Sequence, residues 1–159
     1  MALVPSTLQS ALSPLEAPVP SGSITALTIM NAFQAYVLPV TNIAGFPITA
    51  GMPAFPAALT QLQTAMSAPV PAPSIFVMNL TSAIHMAWSS LQTLFQISPV
   101  VAIPTNLSGP LEGICAAPSP SATVFISGFT TAVHGYCMSS IITGVIPGTP
   151  PIPFSGPPL

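Results

Sequence analysis

The sequence contains no lysine, arginine or aspartate, and Glu16 and Glu112 are its two charged side chains among 159 residues. A globular protein of this length would carry roughly 40. Nucleic-acid affinity comes mainly from lysine and arginine side chains that neutralise phosphates, so the composition excludes DNA and RNA as ligands. The same absences exclude P-loop and Schiff-base lysines, polybasic membrane patches, EF-hand loops and most metal-carboxylate sites.

Hydrophobic residues are plentiful and make up half of the chain. Intrinsic disorder is therefore a poor explanation of the missing charge, because disordered chains combine low hydrophobicity with high net charge. The length fits a single domain over residues 1–159 with a modest core. Such a domain would leave much apolar area at its surface, and that surface needs a covering other than water.

Proline accounts for 22 residues, and proline breaks helix interiors, so proline-free windows show where helices can run. Each of the three longest windows follows a segment of the form Ala-Pro-x-Pro. The windows are 21–38, 74–98 and 121–146, and the leads are 17–20, 68–71 and 117–120. Superposing the leads gives spacings of about 51 and then 49 residues. We interpret this as three internal repeats, at about 6–56, 57–106 and 107–159, with chance matches among proline-rich segments as the alternative.

Apolar residues recur at every fourth position within the aligned windows, which is typical of one face of a helix. This helix stripe consists of Ile29, Phe33, Val37, Phe76, Leu80, Ile84, Trp88, Phe125, Phe129 and Val133. Residues 123–129 also have strand-forming character, but the four-residue spacing holds in all three copies and strict alternation in none. We therefore predict an all-α fold, in which each repeat is a proline-rich extended lead followed by one long apolar helix.

Serines stand where the first turns of these helices would begin. Ser21, Ser74 and either Ser119 or Ser121 are the predicted N-caps, since a serine hydroxyl accepts a hydrogen bond from a free amide of the first turn. Shorter helices are expected at 6–13, 54–67 and 107–116. The proline-rich segments between copies, such as 41–56 and the tail 145–159, are expected to be extended, because prolines lack amide donors.

Two histidines and two cysteines are the candidates for metal binding or redox chemistry. His85 and His134 share one repeat position with Gln34, and would form a polar layer if the helices gathered symmetrically. A zinc site needs three or four ligands, so we predict no metal and instead expect partly buried imidazoles with satisfied hydrogen bonds. Cys115 and Cys137 are expected to be free thiols, because a helix from 119 to 137 carries Cys137 too far from Cys115 for a disulfide.

No arrangement of catalytic residues is recognisable. The chain has no GxSxG elbow, Cys-His signature or glycine-rich phosphate loop, and a Ser-His-Glu set can be assembled only on paper. We therefore predict a protein that is not an enzyme and has no cofactor. A further aromatic set is expected to lie in a core or an interface, with a hydrophobic ligand site as the alternative: Phe76, Trp88, Phe95, Phe125 and Phe129.

Helix faces that are apolar, or polar without charge, are typical of dry protein interfaces and of lipid bilayers. We predict a non-catalytic structural subunit of a large assembly, whose stripe and proline-rich arms contact other protein subunits, in many copies, and no nucleic acid. A virion is the predicted location, as a tail, baseplate or capsid-associated part of a tailed phage assembled in the host cytoplasm.

The alternative is a membrane or pore-like protein with two or three spans, two of them at 74–97 and 121–146. Missing flanking lysines and arginines, and polar residues such as Asn79 and Gln92, count against it. No signal-peptide pattern is expected in the first ten residues, which lack a basic region and a continuous apolar stretch.

Overall fold

The structure is a computed structural model. It describes residues 3–18, 21–50, 54–67, 72–116 and 121–159. The second and third Ala-Pro-x-Pro leads therefore lie outside the described residues, as does the candidate cap Ser119. Of the first lead, the structure describes Ala17 and Pro18.

Six α-helices occur in the described part of the chain. They are α1 (Pro5–Leu12), α2 (Gly22–Val37), α3 (Ala54–Met66), α4 (Pro73–Ser89), α5 (Thr105–Cys115) and α6 (Ala122–Met138). A 3-10 turn, Ser13–Glu16, follows α1. The three long helices and the three shorter ones predicted from proline spacing are confirmed. α4 and α6 end earlier than the proline-free windows allow, because the chain turns into extended structure at Ser90 and Ser139.

Serine caps begin two of the long helices. The Ser21 hydroxyl accepts a hydrogen bond from the Ile24 amide at 3.3 Å, and Ser121 does the same for the Val124 amide at 3.3 Å. The predicted cap at Ser74 is wrong. Ala72 is the N-cap of α4 and Pro73 fills the first helical position, where its missing amide costs nothing, so Ser74 lies within the first turn.

Four short strands follow the long helices. β1 (Ile48–Ala50) pairs with β2 (Gln92–Thr93), and β3 (Ile142–Ile146) pairs with β4 (Ile152–Gly156), both antiparallel. The predicted all-α fold class is therefore wrong: the protein is mixed, 60% helical, with small antiparallel sheets and no clear three-repeat architecture.

The proline-rich connections 41–56 and 145–159 are predicted to be extended, and β1 and β4 show that such extended segments also pair as strands. Within β3, Ile142–Ile146 holds β-branched residues and no proline, so its backbone can form a complete ladder. Pro150 and Pro151 lie in the turn, and Pro153 lies on the edge strand β4, where a missing donor is tolerated. Proline positions, more than proline content, decide whether such a segment pairs.

The helices form a closed ring. Each helix packs on its neighbours along the chain, and α1 packs on α6. Large side chains of the three long helices meet inside this ring: the rings of Phe33 and Trp88 are 6.5 Å apart, and those of Phe76 and Phe125 are 6.4 Å apart. The long helices α2, α4 and α6 are therefore the inner helices, and the shorter ones lie in the clefts between them.

The inner helices bury corresponding positions. The first buried residue of this pattern is Ala26 in α2, Val77 in α4 and Ile126 in α6. The positions three, four, six, seven, ten and eleven residues after it are buried in all three helices. The segments that follow differ, since β1 and β2 are two or three residues long whereas β3 and β4 form a five-residue hairpin. The division at 6–56, 57–106 and 107–159 stays a prediction.

We call the strands and loops beyond the inner helices, residues 40–50, 91–103 and 139–159, the cap layer. Two amide side chains hold it, the buried Asn42 and the half-buried Gln96. Asn42 donates to the Thr93 hydroxyl at 3.0 Å and the Leu94 carbonyl at 3.2 Å, and accepts from the Ala44 and Phe46 amides at 3.0 Å. Such fully satisfied buried amides fix loop geometry at little cost.

Gln96 fixes the geometry of the neighbouring loop in the same way. It accepts from the Thr93 amide at 2.8 Å and donates to the carbonyls of Leu91 at 3.1 Å and Ser98 at 2.6 Å. At the chain end, the amides and carbonyls of Thr41 and Leu159 bond to each other at 2.9 Å in both directions. The cap layer is thus joined by hydrogen bonds over its whole width.

The longest described helices, α4 and α6, have 17 residues each. Within the described ranges, no helix combines the length and the apolar character needed to cross a bilayer.

Candidate functional site

The inner helices are joined by two tyrosine–histidine hydrogen bonds. The Tyr36 hydroxyl on α2 lies 2.7 Å from Nδ1 of His134 on α6, and the Tyr136 hydroxyl on α6 lies 2.6 Å from Nδ1 of His85 on α4. Both tyrosines are buried and both histidines are half-buried. Since side chains at matching levels meet, the three inner helices run parallel.

The prediction of partly buried, hydrogen-bonded imidazoles is confirmed for His85 and His134. Each histidine bonds to a tyrosine of the next inner helix. Ala87 on α4 occupies the position that corresponds to Tyr36 and Tyr136. Alanine has no hydroxyl, so no bond of this kind joins α2 to α4. Among the described residues, no group of three histidine, cysteine or acidic side chains is placed to hold a metal ion.

The two tyrosine hydroxyls and the Cys137 thiol at the centre of the ring are held neutral. Burial raises the pKa of both Tyr36 and Tyr136 well above 10.0, and the nearby Cys137 thiol adds to the effect because its ionised form would repel a phenolate. Burial also raises the pKa of Cys137 itself well above 9.0. A buried neutral thiol is a poor nucleophile, so Cys137 contributes to the packing of the core.

The structure places the helix stripe in the chain's own core. Eight of its ten residues are fully buried, and Phe76 and Phe125 are half-buried against the same core. A partner therefore cannot reach most of the stripe, and contacts with other molecules must use different side chains. The other members of the predicted aromatic set lie in the core or against it, but Phe95 does not. Its ring packs on that of Phe46 in the cap layer, with 4.9 Å between the ring centroids.

The remaining candidate residues are dispersed. Cys115 is half-buried at the end of α5, whereas Cys137 is buried in α6, and both are free thiols. Glu16 accepts a hydrogen bond from the Thr123 hydroxyl at 3.3 Å, while Glu112 lies exposed on α5. The two carboxylates lie on different helices, and no described contact joins either one to a histidine.

Sequence reasoning missed an exposed apolar patch in the cap layer, formed by Ile97, Val101, Ile103 and Ile141. Val101 and Ile141 form a bridge with mutual backbone hydrogen bonds of 3.0 and 2.9 Å, and the Ile97 amide bonds to the Thr143 carbonyl at 3.1 Å. All four side chains are more than 40% exposed, and Ile97 reaches 69%. The signal in the sequence was faint, because Ile97 and Ile141 lie within windows predicted to be helical, and only the pairing of distant segments brings Ile141 next to Val101.

Comparison with known proteins identifies no relative: no protein-family model matches the chain, and neither a curated protein nor a solved structure shows a significant match.

Proposed function

We propose that this protein is a non-catalytic structural subunit of a large multi-protein assembly, and that it binds a neighbouring subunit through the apolar patch of the cap layer. The observation that carries the proposal is an exposed apolar patch on a surface with almost no charge. Soluble proteins normally surround exposed apolar side chains with charged ones, and contiguous apolar patches typically mark interaction sites. Here the whole chain has two carboxylates to offer.

Rigidity supports the same proposal. The patch rests on loops fixed by Asn42 and Gln96, so covering it with a partner orders few additional residues and costs little conformational entropy. The ring centre, with its neutral tyrosines and thiol, has the chemistry of a packed core and adds no catalytic group. A virion is the assembly we name within this proposal, because small non-enzymatic subunits are plentiful in virions.

Sucrose-gradient fractionation of the source material tests the proposal. We expect the protein to sediment with intact particles after detergent washing. Recovery in detergent micelles alone, or at the position of a free monomer, contradicts it.

Two matched substitutions locate the contact. Val101 in the patch and Val124 on the first turn of α6 are 56% and 57% exposed. Val101→Glu adds a charge to the proposed interface and should remove the protein from the particles, whereas Val124→Glu adds the same charge elsewhere and should leave incorporation unchanged. Equal incorporation of the two variants would show that the patch is not the contact surface.

A further inference from the structure

A groove runs along the surface between α4 and α5. It consists of two adjoining concavities of about 420 and 380 Å³, which share Val77 on α4 and Glu112 on α5. The groove extends along α4 from Pro73 to His85, a length of about 18 Å at 1.5 Å per residue. An extended peptide of about five residues fits this length.

Most of the groove lining is apolar. Val77 is buried at its floor and Met78 is largely exposed on its rim. The walls also include Pro73, Pro104, Cys115, Ala116 and the serines Ser74, Ser82 and Ser108. This lining suits an aliphatic chain, including the methylene stem of a long side chain.

One buried hydroxyl in the groove has no partner. Thr81 lines the second concavity and is 6% exposed, and no described residue forms a hydrogen bond with its Oγ1. An unpaired buried hydroxyl is unfavourable, so a hydrogen bond formed with it on ligand binding would be favourable. His85 lies beside it, with Nδ1 already bonded to Tyr136 and Nε2 as its remaining polar atom.

The single charge of the groove sets the chemistry of its occupant. Within the described part of the chain, no hydrogen bond or ion pair reaches the Glu112 carboxylate, in contrast to Glu16, which is bonded by Thr123. An apolar partner covering Glu112 would bury an unpaired carboxylate at high cost, whereas a cation would pair with it. This chain has no lysine or arginine, so another copy cannot provide either.

We infer that the groove between α4 and α5 binds an extended segment of a different protein, which lays a lysine or arginine stem along Val77 and Met78 and places its cation on Glu112. The inference rests on the proposed function, since it describes how one neighbour in the assembly is selected. It makes the assembly heteromeric at this face, because identical copies cannot complete the ion pair with these side chains.

Peptide titration of the ¹⁵N-labelled full-length protein tests the inference. The probe is an acetylated and amidated Ala-Leu-Lys-Leu-Ala peptide, and the control replaces lysine with uncharged norleucine. We expect the lysine peptide to shift backbone amide resonances of α4 and α5 and to bind about two- to fivefold more tightly than the norleucine peptide, with the difference shrinking at high salt. Equal binding of the two peptides, or shifts confined to other helices, would overturn the inference.

The two carboxylates provide a matched pair of variants. Glu112→Gln keeps the shape of the exposed side chain and should remove the preference for lysine, whereas Glu16→Gln should leave it unchanged. Cys115 gives an independent readout, because a seated peptide should slow its alkylation by a maleimide severalfold. Loss of the preference in both variants, or in neither, contradicts a cation site at Glu112.

Failure here and failure of the proposed function are distinguishable. If the lysine peptide does not bind while the protein still sediments with particles, the groove inference fails and the structural role stands. If the peptide binds but the protein never enters particles, the structural role fails and the groove is a peptide site of another kind.

Discussion

The Tyr136 hydroxyl lies 2.6 Å from Nδ1 of His85 and so joins α6 to α4 across the helix ring. Burial keeps the phenol neutral, and the hydrogen bond to the imidazole gives its hydroxyl a partner inside the core. The polar end of each buried tyrosine is thus satisfied by a histidine at the edge of the core. The same pairing of Tyr36 with His134 joins α2 to α6.

Alkaline pH should unfold the protein before its tyrosines ionise in the native state. The pKa of each phenol, and that of the Cys137 thiol, is higher in the folded than in the unfolded chain, so the folded state keeps protons that the unfolded chain loses. These three groups therefore stabilise the folded state fully below about pH 9.0, the ordinary pKa of the thiol. Their contribution falls as the pH rises past 9.0 and then past 10.0, the ordinary pKa of the phenols. Each group contributes a slope of about 1.4 kcal/mol per pH unit.

Phenolate absorbance and circular dichroism, followed together during an alkaline titration, check this expectation. The chain has two tyrosines and both are buried, so phenolate absorbance should appear together with the loss of helix signal. The Tyr36→Phe/Tyr136→Phe double variant should show a shallower pH dependence of its stability. Phenolate absorbance that rises while the helix signal is intact would contradict the burial of these groups.

The two serine N-caps should stabilise the protein more than Ser74 does, because Ser74 does not cap α4. Ser121→Ala removes the acceptor of the Val124 amide and should lower the free energy of unfolding by about 1 kcal/mol. Ser74→Ala is the matched control and should change it little, since Ser74 is exposed within the first turn of α4 and caps nothing. Urea unfolding measures both, and equal losses for the two variants would argue against the helix starts described above.

Two glycines should respond to alanine in opposite directions. Gly135 lies in the interior of α6 with open space around its Cα, so Gly135→Ala should stabilise the protein by about 0.5–1 kcal/mol through helix propensity. Gly144 lies in β3, where an added Cβ would overlap the backbone oxygen of Phe95, and Gly144→Ala should cost about 1–3 kcal/mol. Thermal unfolding of the two variants measures the contrast. A stabilising Gly144→Ala would mean that the loop at Phe95 does not pack on β3.

The two thiols should differ in reactivity towards a maleimide. Cys115 is half-buried and its pKa is raised by burial, so it should react slowly but measurably in the native protein. Cys137 is fully buried and should react only upon unfolding. Mass spectrometry should show one label on the native chain and two in denaturant, with Cys115→Ser abolishing the native label. Rapid double labelling of the native chain would place Cys137 at the surface.

The sequence by itself determined where the helices lie. Proline excludes helix interiors so strongly that the proline-free windows located α2, α4 and α6, and the four-residue spacing of the stripe selected the face that each one buries. Among the described helices the exception is Pro110 inside α5, where the carbonyl left without its amide belongs to the exposed residue Asn106. Local sterics and local periodicity are properties of neighbouring residues, so the sequence shows them directly.

The tertiary structure alone decided what those faces contact and which surface remains. The stripe was predicted to face other subunits, but ring closure turns it inward, and the pairing of loops far apart in sequence brings Val101 next to Ile141 and builds the sheets that the all-α prediction lacked. The tyrosine–histidine bonds likewise join residues on different helices, and helix packing also decides that the Thr81 hydroxyl is buried without a partner. Such contacts depend on which helices and loops pack against one another, and no local pattern in a single sequence shows that packing.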